Sequence, residues 1–435
     1  MSTLKEINKL ALPAILYNIA EPLLGLVDTA VIGQMPNDTV AAQAGIGLAA
    51  GLVSTLVWGL AQIRTAVSSL VSQYLGKNQL DQIKSLVPQS LYFSLLVGIL
   101  FWAITAPFFL PIANFMFQED SKSVLGFADE YYQIRSLGLP LSLLIAGFFG
   151  VFRGYQNTSF AMYAALIGGG VNVILDLAFV HGWYFIPAMG VQGVALASVI
   201  SQLVMVLTCY YFLQKKTPFE ARITFPIHFE FKNMLMIAGN MLIRTLALNL
   251  AFLLALRYAS QYGKETLAAY SIGIQIWLFS SFFIDGYSNA GNALSGKLIG
   301  SGDKIALKNM VNRLLKINLL VAGILSLCYL LVYNVIGLWF NDSMLVNSHL
   351  QSFFWIIILA QPLNSVAFTM DGVYKGMGKA KLLRNTLLIG TFGLFIPTLI
   401  LSDHFGLEIF SVWLAFVIWM SFRGGSLYLR LGRYV

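Results

Sequence analysis

The chain has 435 residues, of which 58% are hydrophobic and only 11% charged. Soluble domains carry about 25% charged residues, and no soluble core could hide this much apolar surface behind so thin a polar coat. The lipid bilayer is therefore the solvent to which the sequence is fitted, and the formal charge of +8 has to be read against that before any nucleic-acid role is entertained.

A spanning helix needs about 20 predominantly apolar residues. Twelve segments qualify, near 10–33, 41–74, 86–112, 126–152, 158–181, 190–213, 233–259, 266–298, 312–338, 348–374, 384–402 and 406–428. The first lacks a small-residue cleavage site and contains acids, so it reads as a span and not as a removable signal. It carries Asn18, Glu21, Pro22, Gly25 and Asp28. Glu21 and Asp28 are two helical turns apart and share a face. Pro22 removes a backbone hydrogen bond between them and makes a hinge there. An acid beside a bendable point is what a protonation-driven switch requires.

The second and fourth spans hold Arg64 and Arg135, which read as snorkelling or paired groups. In the fifth, Gly168-Gly-Gly170 allows close approach of another helix. Asn172 and Asp176 follow, four apart and on one face. With Asp28 they supply two carboxylates and an amide, enough for a small oxygen-lined cation site or for a pair sharing one proton. Beyond the polar stretch 214–232, the seventh span has Arg244, the eighth Asp285 and the tenth Asp371. An ionisable group in a span needs a partner, a wet cavity or a function. Arg244 is the natural counter-ion for one of these acids, and an Asp285–Arg244 ion pair is the structural reading.

The basic residues fix orientation. Twenty-one of the 27 Lys and Arg fall on one side of the membrane, among them Lys77, Arg153, Lys215, Lys375 and Arg423. Three, Lys122, Arg257 and Lys264, fall on the other, and Arg64, Arg135 and Arg244 lie within spans. Positive charge marks the cytoplasmic side. Both termini are then cytoplasmic, and the net charge is a topology signal with no nucleic-acid partner.

The halves also repeat. Pro140-Leu-Ser-Leu-Leu-Ile-Ala-Gly-Phe-Phe-Gly-Val-Phe-Arg-Gly154 aligns without gaps to Pro362-Leu-Asn-Ser-Val-Ala-Phe-Thr-Met-Asp-Gly-Val-Tyr-Lys-Gly376. Ser72-Gln-Tyr-Leu-Gly76 aligns to Gly296-Lys-Leu-Ile-Gly300, and Thr39-Val-Ala-Ala42 to Thr266-Leu-Ala-Ala269. In this register Asp371 stands opposite Phe149. The expected organisation is a six-helix lobe over 1–213, a cytoplasmic linker over 214–232 and a second lobe over 233–435. Because six is even, the lobes share one orientation, a common transporter plan.

Other functions find little support. Cys209 and Cys328 lie inside apolar runs, and the four histidines show no ligand spacing. His-Glu-x-x-His, Gly-x-Ser-x-Gly and Walker sequences are absent. Gly300-Ser-Gly-Asp303 lies in a basic loop without a Tyr-Asp partner. No enzyme and no cofactor are expected, a passive channel is a minor alternative, and an ion gradient is the natural power source.

Val27-Asp28-Thr-Ala-Val-Ile-Gly33, Asn172-Val-Ile-Leu-Asp176, Val191-Gln-Gly-Val-Ala-Leu-Ala-Ser198, Asp285-Gly-Tyr, Asp371-Gly-Val-Tyr-Lys-Gly and Phe422-Arg-Gly424 resemble the multidrug and toxic compound extrusion (MATE) family, most of all its DinF-type branch. The resemblance covers nearly the whole chain. It implies an all-α protein of two six-helix lobes in a V. The implied activity is extrusion of organic cations or amphipathic drugs against protons or sodium, by a monomer in the inner membrane. It maps a first-lobe coupling site to Asp28, Asn172, Asp176 and Ser198, with Glu21 nearby. Asp371 matches an acid of the sodium-coupled branch. That branch also has a glutamate in the seventh span, where this chain has Arg244 and no acid. Proton coupling through the first lobe is therefore expected, with Na⁺ at Asp28, Asn172 and Asp176 as the alternative. A lipid-linked precursor flippase of the same superfamily is the runner-up function.

Overall fold

A computed structural model describes residues 4–33, 39–117, 122–183, 187–222 and 224–434, apart from the side chains of Glu21, Leu26, Thr29 and 115–117. Among these residues the chain is helical, without strands, and twelve helices are long and apolar enough to cross a membrane. They are α1 (Leu4–Ile32), α2 (Thr39–Gly76), α3 (Leu80–Thr105), α4 (Lys122–Gly154), α5 (Ser159–His181), α6 (Gly190–Lys216), α7 (Phe231–Gln261), α8 (Lys264–Gly300), α9 (Lys304–Leu331), α10 (Met344–Gly376), α11 (Ala380–His404) and α12 (Ile409–Arg433). Only helices satisfy their backbone groups without water, so a single chain in lipid has few other options.

The predicted spans each find a helix, with one difference of substance. The apolar run predicted over 86–112 is two helices. The spanning one ends at Thr105, and a separate helix, Phe109–Phe117, follows. The break falls at Ala106-Pro107: Ala106 is still helical and bonds back to the Trp102 carbonyl, but Pro107 has no N–H with which to continue the ladder. Proline also marks α4, which passes through a 3₁₀ turn at Ser136–Gly138 just before Pro140. In α11 a π-helical turn, Thr391–Phe395, interrupts the α-helix.

The helices form two compact units. The N-terminal unit comprises residues 16–71 and 79–236, and the C-terminal unit comprises 1–15, 72–78 and 237–435. Three helices thus change unit along their length: α1 between Ile15 and Leu16, three residues after Pro13, α2 at Ser72, and α7 between Met236 and Ile237. The core of the N-terminal unit gathers Val31, Ile46, Phe109, Tyr132 and Val194. Phe109 and Tyr132 stack with centroids 4.1 Å apart. In the C-terminal unit Trp413 is fully buried among Tyr270, Trp277, Phe353 and Phe416, all within 6 Å between centroids. Large apolar side chains such as Leu96, Leu253, Leu320 and Leu359 are exposed, as a lipid-facing surface requires.

The duplication read from the sequence reappears in three dimensions. A Cβ on Gly150 would stand 2.7 Å from the Arg64 carbonyl oxygen, and one on Gly154 2.8 Å from that of Ser68. Their counterparts Gly372 and Gly376 are crowded by the carbonyls of Ser288 and Asn292. The register of the alignment carries each contact of the first half onto one of the second. Within the C-terminal unit the repeated segments themselves also cross. Gly76 has no room for a side chain because of the Lys297 backbone, and Gly300 none because of the Gln73 backbone. Gly296 meets Ser72, and Gln73 Nε2 donates to the Gly376 carbonyl at 3.0 Å.

Candidate functional site

In the N-terminal unit, Leu24 and Asp28 lie one turn apart on α1, and Gly169, Asn172 and Asp176 share a face of α5. Of the three glycines predicted to admit a neighbour, Gly168 and Gly169 do so and Gly170 has nothing within 4 Å. A Cβ on Gly169 would touch Leu24 Cδ1 at 3.4 Å, and Gly168 faces the Met205 side chain and the Ser201 carbonyl of α6. α5 is thereby drawn against α1 on one side and α6 on the other. Asp176 is completely buried, Asn172 nearly so and Asp28 half-buried. The carboxyl groups of Asp28 and Asp176 come within hydrogen-bonding reach of each other.

Asp28 Oδ1, both Asp176 oxygens and Asn172 Nδ2 have no other hydrogen-bond partner among the described residues. Two carboxylates facing each other in a poorly solvated site repel, and neither can donate. The contact closes only when one proton is shared or a cation lies between them. The arrangement is thus built to take up one positive charge. No cluster of three or more His, Cys, Asp or Glu among the described residues is placed to hold a metal ion. A sodium ion here would rest on the two carboxylates and Asn172.

Two residues of α4 complete the surroundings. Arg135 and the buried Tyr131 lie within electrostatic reach of the pair. The Gln202 amide of α6 holds Arg135. Oriented so that its oxygen meets donors, it accepts from Arg135 Nη1 and Nη2 at 3.1 and 3.0 Å and from Ser142 Oγ at 2.9 Å, while its nitrogen donates to the Gly138 carbonyl at 3.1 Å. Arg135, read as a snorkelling or paired group, is paired, with the Gln202 amide. Its signal in the sequence is the run Asp129-Glu-Tyr-Tyr-Gln-Ile-Arg135, too polar for a lipid-facing helix. Ser198 is buried on α6, and its carbonyl accepts from Ser201 Oγ at 2.8 Å. Pro22 lies inside the unbroken helix Leu4–Ile32. The Glu21 side chain falls outside the described residues.

The C-terminal unit has a different centre. Arg244 of α7 and Arg423 of α12 both donate through Nη2 to one oxygen, Oδ2, of Asp371 on α10. The three side chains are 6%, 5% and 2% exposed. The expected Asp285–Arg244 ion pair is thus corrected: Arg244 spends its hydrogen bond on Asp371, and Asp285 Oδ2 accepts from Asn289 Nδ2 at 3.1 Å, one turn further along α8. Arg423, counted among the cytoplasmic bases, is buried because α12 continues well past it and packs on α10. Its guanidinium lies 5.2 Å from the Phe368 ring centre and 6.0 Å from that of Trp419, and Nη1 contacts Met420 Sδ at 3.6 Å. Arg153, also counted with the loop bases, is buried and donates to the Tyr17 hydroxyl at 2.5 Å. Tyr17 packs against Phe149, the counterpart of Asp371.

The MatE family model matches residues 13–178 and 241–401, most of both halves. DNA damage-inducible protein F of Escherichia coli is 27% identical over 97% of this chain and 91% of its own. A probable multidrug resistance protein NorM of Thermotoga maritima is 24% identical over 96% of this chain and 90% of its own. Among solved structures, an outward-facing multidrug resistance MATE transporter of the MOP superfamily superposes with a TM-score of 0.88 at 19% identity, covering 99% of this chain and 96% of that one. Twelve apolar helices and a family match across most of both halves converge on one conclusion: the chain belongs to the MatE family of multi-pass membrane transporters, and is a transporter and not an enzyme.

Proposed function

We propose that the protein is a secondary active exporter that moves cationic or amphipathic organic molecules outward in exchange for protons, with Asp28 and Asp176 as the proton-carrying pair. The observation that carries this reading is the facing of two carboxyl groups on α1 and α5, with three oxygens lacking a donor among the described residues. Such a pair closes when one proton or cation lies between the carboxyl groups and parts when it leaves, so it has two charge states of different geometry. Protonation from outside lets α1 and α5 close on each other. Loss of the proton to the cytoplasm restores repulsion and parts them. Substrate and proton need only favour different states for exchange to follow, and alternating access is the cycle that connects them. The positive-inside count puts both termini in the cytoplasm of a cell-membrane protein that works as a monomer.

Reconstituted vesicles loaded with a fluorescent cationic dye test the reading. A pH gradient alone should drive dye movement, and Asp28→Asn should remove it while the protein still inserts. Movement that needs a sodium gradient instead would transfer the role to Na⁺, for which the same oxygens and Asn172 are the ligands. Unchanged pH-driven transport in Asp28→Asn would overturn the assignment of the pair.

A further inference from the structure

The segment that joins the two halves carries an apolar pattern that no span explains. α6 ends at Lys216 and α7 begins at Phe231, so residues 217–230 lie outside the twelve spanning helices. Yet Phe225, Ile227 and Phe229 are 80%, 65% and 71% exposed. Single apolar side chains scattered on a surface are ordinary, whereas three at alternate positions of one short segment make a patch.

The alternation is held in place by two buried side chains. Gln89, near the start of α3, donates through Nε2 to the carbonyls of Thr224 and Pro226 at 2.8 and 3.1 Å, and its Oε1 accepts from the His228 N–H at 2.9 Å. The His228 ring donates through Nε2 to the Gln82 carbonyl at 2.6 Å and accepts at Nδ1 from the Glu230 N–H at 3.0 Å. One amide and one imidazole thus satisfy the backbone of a segment that has neither helix nor strand, and they hold it as a strap against α3. Positions 224, 226 and 228 are bound inward, and the apolar side chains between them are turned out.

Two features identify what covers them. The first is continuity with the lipid-facing surface. Phe231 meets Phe93 of α3 edge to face at 5.6 Å. Next along those helices, Tyr92, Leu96, Leu235 and Met236 are exposed. The second is charge. Lys215, Lys216, Arg222 and Lys232 are exposed around the strap, against the exposed Glu220 and the half-buried Glu230, whose Oε2 accepts from Asn233. Apolar side chains flanked by bases suit the headgroup boundary of an anionic membrane.

We propose that the strap over 224–230 is an interfacial anchor. Phe225, Ile227 and Phe229 enter the headgroup boundary of the leaflet on the basic side, and Lys215, Lys216, Arg222 and Lys232 draw its anionic lipids to them. The partner is the membrane surface, and the anchor holds whatever the cargo or the coupling ion.

Spin labelling of the full-length protein in lipid nanodiscs tests the depth of the strap. Cys328→Ser leaves only the buried Cys209, and a nitroxide is attached at Ile227→Cys, or at Phe229→Cys should the first variant fail to fold. Collisions with oxygen, which concentrates in lipid, should exceed those with a water-soluble nickel chelate. A label at Ser301→Cys, exposed in the turn between α8 and α9, should show the reverse. Adding phosphatidylglycerol to phosphatidylcholine nanodiscs should raise the oxygen-to-nickel ratio on the strap, and high salt should reverse that gain. A strap label that meets the nickel chelate as freely as the one at 301 would put the strap in water. A label shielded from both reagents would put it against protein, and either result overturns the anchor. A ratio unchanged by phosphatidylglycerol would overturn the part assigned to the bases.

Discussion

The two units set the same scaffold to opposite electrical ends. Glycines at matching positions pack α4 on α2 and α10 on α8 through the same contacts, yet the side chains that follow diverge. On α4, Phe149 packs against Tyr17, and among the described residues Arg153 finds the neutral hydroxyl of that tyrosine. At the matching positions of α10 stand Asp371 and Lys375, and Asp371 holds two arginines. The N-terminal unit instead places its acids on α1 and α5, facing each other without a donor between them. One unit thus carries a facing pair of acids with Arg135 within electrostatic reach, and the other a single acid ion-paired to two arginines. Backbone packing in a duplicated transporter is fixed by small residues, and the chemistry is free to differ around it.

Removing charge from the two sites should act in opposite directions. The largest effect belongs to the C-terminal unit. Asp371→Asn leaves two buried arginines facing each other and should cost about 3–5 kcal/mol, read as a lowered unfolding temperature in detergent. A change under about 1 kcal/mol would mean that the group is solvated, and the contrast between the units would collapse.

Next is Asp28→Asn, which should remove pH-driven transport while the protein still inserts, an effect read on dye flux in vesicles. Gly76→Ala and Gly300→Ala should each destabilise by about 1–3 kcal/mol through overpacking, and by similar amounts, because each meets the backbone of the other's segment. Unequal effects would show that the crossing is not symmetric in energy. The smallest effect is expected of Asp176→Asn. It removes like-charge repulsion and should leave stability unchanged or raise it by up to about 1 kcal/mol while impairing transport; marked destabilisation would mean that attraction to Arg135 outweighs the repulsion within the pair.

What the sequence made legible was whatever depends on one helix at a time. Helix number, the face shared by Asn172 and Asp176, the approach allowed by Gly168 and Gly169, and the repeat all follow from periodicity and spacing. What escaped depends on which helix packs against which. Arg423 lies in Phe422-Arg-Gly-Gly-Ser426, which reads as the end of a last span, and only its packing beside Phe368 shows that it is buried. Arg244 was visible as an intramembrane charge, but its partner was a choice among acids on different helices. Arg135 was left as a snorkelling or paired group because nothing local announces Gln202 across the unit. Pro107 was legible in principle: it cuts the third apolar run at the residue before it, and hydropathy alone runs past it.

The crossing of Ser72–Gly76 with Gly296–Gly300 has a consequence for how the protein tolerates change. The contact is self-complementary: Gly76 lies on the segment of Gln73 and meets Lys297, while Gly300 lies on the segment of Lys297 and meets Gln73. That is the signature of an isologous interface, the kind two identical subunits make around a two-fold axis. Here it is sealed inside one polypeptide. A subunit interface loses both copies of a residue to a single mutation, whereas this one loses them independently. Each half can therefore drift in its chemistry while the glycines at the crossing hold the other in place, and a single chain can keep a dimer's geometry without keeping a dimer's sameness.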